Sequence, residues 1–404
     1  MCHNIKVIVG ANYGDEGKGL ATHYFSRSKD PCLNVLYNGG GQRGHTVDFK
    51  DETKHVFHHF GSGTFDGAST LFHGDFILNP MVFCQEWNEL PNQIINNMVI
   101  FGDLRCKFVT PYDMMINQIV ELSRGATRHG SCGHGIWETF CRYNNNRTAF
   151  SIADAIHLNK NEFMKYMSEI ALTYAPSRLK NDYGITTIPT EYETLLHAYD
   201  LAEKYYEDFR FMIDNVVWLN KNEIKGLYKN YDQIIFEGGQ GLALDKDNIA
   251  EYPHVTASST GSYIPIKDIV ESGFDLNKID IEIVYVSRTY FTRHGEGLLP
   301  GECRKEDISS LIEIDMTNQQ NEWQGFIRYA PFSDKQVAER IGKDLNSVNE
   351  LISTNNLHKS LFLTHCNELL KNEIKIGEIQ KYVDSVYCSS DKNAEIVVKE
   401  NKYD

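Results

Sequence analysis

A glycine-rich loop that contains both a lysine and a carboxylate follows the first apolar run of the chain. Residues 10–19 read Gly-Ala-Asn-Tyr-Gly-Asp-Glu-Gly-Lys-Gly. Such a loop points backbone N–H groups at an anion, and Lys18 can add a compact positive charge. It is not a Walker A loop, which needs Gly at the position of Asn12 and Ser or Thr at Gly19. A carboxylate among phosphate-binding amides is costly unless it binds metal or takes part in the reaction, so the pattern points to Asp15 as a functional residue.

Two further glycine clusters also follow predicted strands. Residues 37–46 read Tyr-Asn-Gly-Gly-Gly-Gln-Arg-Gly-His-Thr, and residues 236–241 read Phe-Glu-Gly-Gly-Gln-Gly. Each cluster alone could be only a tight loop, but His45, beside exposed backbone, is the residue type that serves as a general acid. Loops after the carboxyl ends of strands form the ligand crevice of open α/β sheets. The sequence therefore predicts one polar pocket, which residues 252–256 could extend.

The elements that position these loops alternate between short β-branched runs and helical stretches. This alternation predicts an α/β fold, a single large domain over residues 1–404 with a central, mostly parallel β-sheet flanked by helices. A mainly helical subdomain is predicted at about 140–230. Strands are predicted at Ile5–Val9, Leu33–Tyr37, Met98–Phe101, Gln233–Phe236, Ile281–Val286, Ser360–Leu363 and Ser385–Tyr387. Helices are predicted at Pro111–Leu122, Asn161–Leu172, Tyr192–Met212 and Asp334–Ile341.

Composition narrows the class of protein. The 404 residues carry a net charge of −15, which argues against a protein that coats nucleic acid or binds an anionic membrane. Nine cysteines without regular spacing indicate free thiols in a reducing compartment. The chain enters its first strand at once, with no basic region or long apolar run before it. We therefore expect a cytoplasmic protein, or one in the host cytoplasm if a phage encodes it.

Together, in this order and spacing, the clusters resemble adenylosuccinate synthetase. The resemblance runs from residue 5 to about residue 300 and implies that family's P-loop-related single domain, working as a homodimer. The matching motifs are GDEGKG at 14–19, GGGQRGHT at 39–46, HHFGSG at 58–63, GSCGHGI at 130–136, FEGGQG at 236–241 and YPHVT at 252–256.

The resemblance implies a reaction and a role for each matching residue. Family enzymes phosphorylate the 6-oxygen of a purine nucleoside monophosphate from a nucleoside triphosphate, and the amine of L-aspartate then displaces that phosphate. Asp15 matches the residue that takes the N1 proton and binds Mg²⁺, and His45 matches the acid that supports the 6-oxygen. Lys18 matches the cation that holds the transferring phosphate, and Gln240 the amide that reads the purine. The resemblance also places four residues of the first cluster in the phosphate loop, namely Gly14, Glu16, Gly17 and Gly19. It places the Gly44 carbonyl on Mg²⁺. The residues that it places around the nucleotide phosphates are Gln42, Thr46, Ser131, Cys132, Thr256 and a partner-supplied Arg147.

The loop that would read aspartate and the sugar departs from the family pattern. Ordinary family members read both with Thr-Thr-Gly-Arg-x-Arg, whereas residues 321–329 of this chain read Asn-Glu-Trp-Gln-Gly-Phe-Ile-Arg-Tyr. After Gln324 and Gly325, Phe326 stands where the first arginine is expected, and only the second arginine remains, as Arg328. An apolar side chain beside C2′ leaves a ribose hydroxyl without its partner, which favours deoxyribose.

The donor-base segment departs as well. The guanine-reading Lys-x-Asp of the ordinary enzyme is absent, and the chain reads Thr-His-Cys-Asn at residues 364–367. An aspartate accepts from both guanine N1–H and the 2-amino group, whereas Asn367 cannot do so with both its atoms. His365 and Ser389 would complete this pocket. We therefore expect ATP or dATP rather than GTP as the donor.

Both departures resemble the phage branch of the family, the 2-aminoadenylosuccinate synthetases, which join dGMP to aspartate on the way to diaminopurine DNA. That branch typically has serine where this chain has Asp15, yet a carboxylate could accept from both N1–H and the 2-amino group. The ordinary reaction of IMP, aspartate and GTP stays open. A catalytically silent nucleotide sensor would be expected to lose Asp15, Lys18 or His45, and a P-loop GTPase switch disagrees with Asn12 and Gly19. His58 and His59 are adjacent, and adjacent residues on a strand point to opposite faces, which favours a core or pocket role over metal binding.

Overall fold

A long twisted sheet runs through the middle of the molecule. The computed structural model describes residues 3–27, 31–50, 53–145, 148–313, 323–352, 354–369, 374–395 and 397–401. Within these ranges the strands are β1 His3–Gly10, β2 Cys32–Leu36, β3 His45–Asp48, β4 Lys54–Phe57, β5 Ser69–Phe72, β6 Ile77–Leu78, β7 Ile100–Asp103, β8 Lys107–Phe108, β9 Val217–Leu219, β10 Gln233–Glu237, β11 Ile279–Arg288, β12 Tyr290–Arg293, β13 Arg328–Pro331, β14 Leu357–Thr364, β15 Ser385–Ser389 and β16 Val397–Asn401.

The sheet has the order β16-β15-β14-β11-β1-β10-β2-β5-β7-β9. Every neighbouring pair is parallel except β15 and β16, which are antiparallel. Three separate two-stranded ribbons pair β12 with β13, β3 with β4, and β6 with β8. The predicted α/β fold with a mostly parallel central sheet is therefore confirmed.

Helices cover both faces of the sheet and form a region of their own. They are α1 Lys18–Ser26, α2 Pro80–Glu89, α3 Asn92–Ile95, α4 Pro111–Arg124, α5 Ile136–Tyr143, α6 Ile152–Ala155, α7 Lys160–Glu169, α8 Ala175–Tyr183, α9 Thr190–Leu196, α10 Tyr199–Asp214, α11 Lys221–Tyr228, α12 Tyr263–Glu271, α13 Lys305–Ile308 and α14 Asp334–Asn349. A π-helical turn, Ile170–Tyr174, joins α7 to α8.

Side-chain alternation along the strands explains the layers. Val7 and Val9 of β1 lie in one apolar cluster with α12 and α14, whereas Ile8 lies in another with Ala21 of α1. Since both faces are covered, the central strands are mostly apolar, and β2 and β10 are buried along their whole lengths. Among the helices of the described ranges, none combines the length and the hydropathy that a membrane span requires.

The helices between α4 and α10 form a second core beside the sheet. Arg142 is fully buried there and donates to the Asp113 carboxylate at 2.9 Å and to the carbonyl oxygens of Phe108 and Thr148. Thr110 and Asp113 form a reciprocal capping box at the start of α4. A buried guanidinium whose donors are used in this way fixes the helical region against β8.

Candidate active site

The three glycine-rich loops meet at one edge of the sheet because they follow three adjacent parallel strands, β1, β10 and β2. A methyl group at Gly241 would overlap the carbonyl oxygen of Asn12, so the first and third loops touch. Asn38 joins the second and third loops, since its side chain accepts from the Gly239 N–H at 2.6 Å and donates to the Ser259 carbonyl at 2.8 Å. The loops predicted to converge are thus in contact.

A buried carboxylate organises the first loop. Glu16 folds back and accepts hydrogen bonds from the backbone N–H groups of Asn12, at 3.0 Å, and Gly14, at 2.9 Å. Its other oxygen lies 2.5 Å from the Lys18 ammonium, and both side chains are buried. Gly14 and Gly17 have φ values of 95° and 94°, which a side chain would strain. The loop is therefore preformed, and Lys18 retains two N–H donors beyond the one given to Glu16.

Asp15 projects from this loop and is held on two sides. Its carbonyl oxygen accepts from Arg288 Nε at 2.5 Å. Its carboxylate Oδ2 lies 3.5 Å from His294 Nε2, and the side chain is 24% exposed. The carboxylate is thus accessible while the backbone beneath it is anchored.

Left-handed backbone is concentrated at predicted site residues. In the described ranges the non-glycine residues with positive φ are Asp15 at 59°, Gln240 at 62°, His365 at 60° and Ala394 at 59°. Three of these four are residues that the sequence assigned to the site. Such conformations cost free energy and persist where the surrounding structure enforces them, typically at functional sites.

His45 forms a buried pair with a carboxylate from the third loop. His45 Nδ1 lies 2.6 Å from Glu237 Oε1, and Nε2 is left as the ring nitrogen that can act on a ligand. Ser62 donates its backbone N–H, at 3.0 Å, and its hydroxyl to the same carboxylate. Arg43 Nη1 lies 3.6 Å from Glu237 Oε1. Gly19 must lack a side chain, because a Cβ there would lie 2.9 Å from His45 Cβ.

The surroundings shift the pKa values of both His45 and Glu237. Burial, and then the Arg43 charge, lower the pKa of His45 to about 4, although Glu237 opposes this. Burial alone would raise the pKa of Glu237, but Arg43, His45 and Ser62 together lower it to about 2. The pair at neutral pH is therefore a neutral imidazole that donates from Nδ1 to an ionised carboxylate.

The other predicted residues of the second loop lie beside His45. Gln42 is half-buried, and its Oε1 is buried without a hydrogen-bond partner in the described structure. Thr46 is half-buried in β3, and a Cβ on Gly19 would lie 3.2 Å from its carbonyl oxygen. Gly44 is exposed. An unpartnered buried amide oxygen is costly unless a ligand supplies a hydrogen-bond donor to it. An ionised phosphate has no such donor, so Gln42 Oε1 would meet the predicted phosphate through a protonated phosphate oxygen or a bridging water.

The loop that holds Ser131 and Cys132 is fixed by α4. Ser131 Oγ accepts from Asn117 Nδ2 at 2.8 Å, and burial raises the pKa of the Cys132 thiol. Gly133 faces the indole ring of Trp323, with 2.9 Å between that ring and an added Cβ. The predicted phosphate loop and the predicted aspartate loop are therefore neighbours.

Thr256 and its segment approach the same region. The Thr256 N–H donates to the Leu244 carbonyl at 2.8 Å, and the side chain is half-buried. The ring of His254 lies 5.2 Å from that of His129, and its carbonyl accepts from Arg293. Arg147 lies outside the described residues.

Arg328 ties the predicted aspartate and sugar loop to the turn after β12. Its Nη2 donates to the carbonyl oxygens of Gly295 and Gly297, both at 2.8 Å, and its Nη1 to Glu302 at 2.7 Å. Phe326 is 69% exposed. Gln324 is half-buried, and Gly325 has a φ of 71°. In this conformation Arg328 orders the loop, while Phe326 presents an open apolar surface.

The predicted donor-base segment turns away from the end of β14. The backbone N–H of Cys366 donates to the Ser389 carbonyl at 3.0 Å, which brings the two predicted parts of the pocket together. The Ser389 hydroxyl is fully buried and donates to the Asp391 carbonyl at 3.0 Å, so it does not face a base in this conformation. Asn367 is exposed, as a base-reading amide requires.

Sequence reasoning missed several residues that the structure places here. Glu237 and Arg43 lie within the quoted motifs, but the contacts of Glu237 with His45 and Arg43 join loops far apart in sequence. Arg288 and His294 lie in no quoted motif, although both flank the short strand β12. Glu368, one residue after the donor-base segment, is a buried carboxylate that accepts from Tyr290 at 2.6 Å.

His58 and His59 occupy the core and its edge. His59 is fully buried, and its Nε2 accepts from the Asn79 N–H at 2.9 Å. His58 is half-buried, and its Nδ1 contacts the Arg43 carbonyl oxygen. The predicted core or pocket role of this pair is confirmed.

Comparisons with known proteins give one consistent result. A family model described as adenylosuccinate synthetase matches residues 7–324. The chain is 31% identical over 305 residues to the adenylosuccinate synthetase of Prochlorococcus marinus strain MIT 9215, covering 74% of this chain and 64% of that protein. It is 31% identical over 310 residues to that of Acaryochloris marina, covering 76% and 64%. The matched part of the chain thus spans less than two-thirds of these relatives, 64% of their length.

Two solved structures share the fold over nearly the whole chain. One is the fully ligated adenylosuccinate synthetase of Plasmodium falciparum, with a TM-score of 0.67, 18% identity, and coverage of 98% of this chain and 88% of that one. The other is the succinoaminodeoxyadenylate synthetase of cyanophage S-2L bound to dGMP and dATP as an energy donor, with a TM-score of 0.66, 16% identity, and coverage of 98% and 95%. At these identities the likeness concerns the fold.

Proposed function

Because the chain belongs to the adenylosuccinate synthetase family, we propose that it is a ligase that joins the amine of L-aspartate to C6 of a purine nucleoside monophosphate. The observation that carries this proposal is the arrangement of Asp15 on a preformed anion-binding loop, against the two loops that hold His45 and Glu237. A carboxylate base, an imidazole and an anion-binding loop are the groups that activation of a purine 6-oxygen by phosphorylation requires.

In the first step, the Asp15 carboxylate takes the N1 proton, and the 6-oxygen attacks the γ-phosphorus of the donor. The nucleoside diphosphate leaves with the electrons of the broken P–O bond. Lys18 and the backbone N–H groups of Gly17 and Gly19 hold the transferring phosphoryl group. Because such transfer depends on alignment and charge neutralisation, a loop preformed by Glu16 serves it well.

In the second step, the aspartate amine attacks C6, and the 6-phosphate leaves as inorganic phosphate. His45 Nε2 interacts with the 6-oxygen as charge accumulates there, and Glu237 stabilises the imidazolium that forms if Nε2 gains a proton. Gln240 holds the purine, and Arg328 either binds aspartate or orders the loop that does so. Gln42, Ser131, Cys132, Thr256 and an Arg147 lent by the other subunit of a homodimer surround the acceptor phosphate.

The residues present fit Mg²⁺, which prefers oxygen ligands and keeps several waters beside substrate phosphates. The Asp15 carboxylate is accessible and the Gly44 backbone is exposed, so each could supply one oxygen. In the described residues no group of three or more His, Cys, Asp or Glu could form an all-protein cage. When bound, the ion would neutralise charge on the donor phosphates.

We propose dGMP as the acceptor. Phe326 is exposed and offers no polar atom to a ribose hydroxyl. Asp15 could accept from both N1–H and the 2-amino group of guanine. The product would be 2-amino-2′-deoxyadenylosuccinate, and the phage enzyme of the same fold was solved with dGMP and dATP bound.

We propose ATP or dATP as the donor. Asn367 is exposed, and its amide could meet the N1 and N6 edge of adenine. Glu368, the nearby carboxylate that could otherwise accept from guanine, is buried against Tyr290. A guanine would therefore lack the acceptor pair that its N1–H and 2-amino group require.

The ordinary reaction of IMP, aspartate and GTP is the second candidate, and Asp15 is the observation that favours it. The experiment is to incubate purified protein with aspartate and Mg²⁺, and with IMP, GMP or dGMP, each with ATP, dATP or GTP. Formation of the succinylated product is followed by mass spectrometry, with Asp15→Asn as the control. We expect dGMP with ATP or dATP to give the highest initial rate. A highest rate with IMP and GTP would select the ordinary reaction, and nucleotide binding without product would indicate a sensor.

A further inference from the structure

A chain of hydrogen bonds links the donor-base turn to the loop that carries Asp15. Tyr290 OH donates to Glu368 Oε2 at 2.6 Å, and Arg288 Nη1 donates to Tyr290 OH at 3.3 Å. Arg288 Nε then donates to the Asp15 carbonyl at 2.5 Å. Glu368 and Tyr290 are buried, so water competes little for these bonds.

The other end of the same turn reaches the next carbonyl of the loop. Thr364 Oγ1 donates to the Glu16 carbonyl at 2.8 Å, and His365 Nδ1 lies 2.9 Å from Thr364 Oγ1. A Cβ on Gly17 would lie 2.9 Å from the Thr364 methyl group, so the contact is close. Two consecutive carbonyl oxygens, those of Asp15 and Glu16, are therefore held from the two ends of one turn.

The turn itself is closed by bonds to one carbonyl oxygen. The His365 carbonyl accepts from the Glu368 N–H at 3.0 Å and from Thr289 Oγ1 at 3.1 Å. The His365 ring packs edge-on against Tyr290, with centroids 5.8 Å apart. His365 has a φ of 60°, so its conformation depends on these surrounding contacts.

We propose that Tyr290 is a positioning residue that holds the 365–368 turn in register with the Asp15 loop, and so sets the affinity for the phosphate donor. The inference rests on the proposed function, which puts the donor base at this turn. Removing the Tyr290 hydroxyl breaks its bonds to both Glu368 and Arg288. The Asp15 carbonyl keeps its bond to Arg288 Nε, so the acceptor side should be little affected.

The test compares Tyr290→Phe with the matched variant Glu368→Gln, whose amide oxygen still accepts from Tyr290. Dissociation constants are measured by equilibrium dialysis for ATP with Mg²⁺ and, separately, for dGMP, without aspartate and well below each protein's melting temperature. A hydrogen bond to a charged group predicts that Tyr290→Phe weakens ATP binding at least about 10-fold. We expect dGMP binding to change by less than about 2-fold and Glu368→Gln to bind ATP within about 3-fold of wild type.

The outcomes separate the inference from the proposed function. Equal ATP affinity of Tyr290→Phe and wild type overturns the positioning role, as does an equal loss of ATP and dGMP affinity, which would indicate general damage to the fold. An increase in GTP affinity in Tyr290→Phe also overturns it, since Glu368 would then read the base once released. A wild-type protein that binds none of ATP, dATP and GTP contradicts the proposed function instead.

Discussion

At the scale of single residues, the His45–Glu237 pair shows how burial and charge select a protonation state. Burial and Arg43 keep the imidazole neutral, while Arg43, His45 and Ser62 keep the carboxylate ionised. A neutral imidazole bonded through Nδ1 has a fixed tautomer and orientation. His45 is therefore prepared to respond to negative charge brought by a phosphorylated substrate, which would raise its proton affinity.

The first prediction concerns Asp15 and His45. Asp15→Asn removes the base, and His45→Asn removes the group that supports the 6-oxygen, so each should lower turnover at least about 10²-fold. Steady-state rates with saturating aspartate and Mg²⁺ measure this, and circular dichroism checks that each variant is folded. Turnover close to wild type in either variant would remove that residue from the proposed mechanism.

The second prediction is a pH dependence of stability. The pKa of His45 is about 4 in the folded protein against an ordinary value of 6.5, so the unfolded chain binds the proton first as the pH falls. The free energy of unfolding should therefore decrease between about pH 6.5 and 4, by at most about 2–3 kcal/mol from this residue. Glu237, with a pKa of about 2 against 4.5, adds a further loss below about pH 4.5.

Urea titrations of wild type and His45→Asn at pH 7, 5.5 and 4.5 measure this effect. The variant lacks the His45 titration, so its stability should fall less steeply with pH, and the gap between the two proteins should narrow. A constant gap across this range would show that the pKa of His45 is not lowered.

A residue with a chemical role was predictable from the sequence where its amino-acid type is unusual for the surrounding motif. Asp15 could be found because a carboxylate is out of place in an anion-binding loop. Arg288 and His294, which hold Asp15, could not be found, because 273 residues separate Arg288 from Asp15. Nothing in their own neighbourhood distinguishes them, since only the pairing of β1 with β11 brings the two segments together.

At the scale of elements, the ribbon of β12 and β13 organises one side of the site. Arg293 of β12 is almost fully buried, donates to Glu251 and lies over the ring of Tyr13, 4.8 Å from its centroid. Arg328 of β13 ties down the turn that follows β12. The ribbon therefore fixes the loop with Phe326 relative to the loop with Asp15.

The third prediction concerns the sugar. Wild type should use dGMP with a higher kcat/KM than GMP, because Phe326 offers a 2′-hydroxyl no partner. Phe326→Arg should shift the ratio of kcat/KM values toward GMP by about tenfold, the effect of one hydrogen bond to a charged group. Phe326→Leu is the matched control and should keep the deoxyribose preference. A wild-type ratio of one or below would refute the sugar argument.

The predicted elements were mostly found, and the differences have physical causes. All seven predicted strands are present, but Ser69–Phe72 was not predicted, because four residues with one polar pair give no clear periodicity. The edge strands β9 and β16 were also missed, since partly exposed residues make them less apolar. The single helix predicted at 192–212 is two helices, α9 and α10, separated at His197–Ala198.

At the scale of the whole molecule, the sheet order decides which loops can cooperate. The sequence indicated parallel strands, and this was enough to place several strand-end loops at one edge. It could not give the order, because strand pairing depends on packing between segments that are far apart in the chain. The order puts β1 between β10 and β11, so the Asp15 loop lies between the parts of the site that follow these two strands.

The fourth prediction concerns assembly. If the protein is a homodimer and Arg147 acts in the partner's site, Asp15→Asn and Arg147→Ala are each inactive alone. A mixed dimer would regenerate one intact site, so an equimolar mixture should recover up to about a quarter of wild-type activity. Analytical ultracentrifugation gives the oligomeric state, and mixing two Asp15→Asn preparations is the control. Absence of recovery in a mixture shown to exchange subunits would contradict a shared site.

The central position of β1 also has a consequence for biosynthesis. The residues that pair with His3–Gly10 lie in β10, which begins at Gln233, and in β11, which begins at Ile279. At about 5–20 residues per second, β1 leaves the ribosome roughly 10–60 s before both partners are available. Such distant pairing slows folding, and a strand with two unpaired edges is prone to aggregation meanwhile. The loop that carries Asp15 is therefore translated early but completed late, and we expect the nascent chain to depend on chaperones that shield β1.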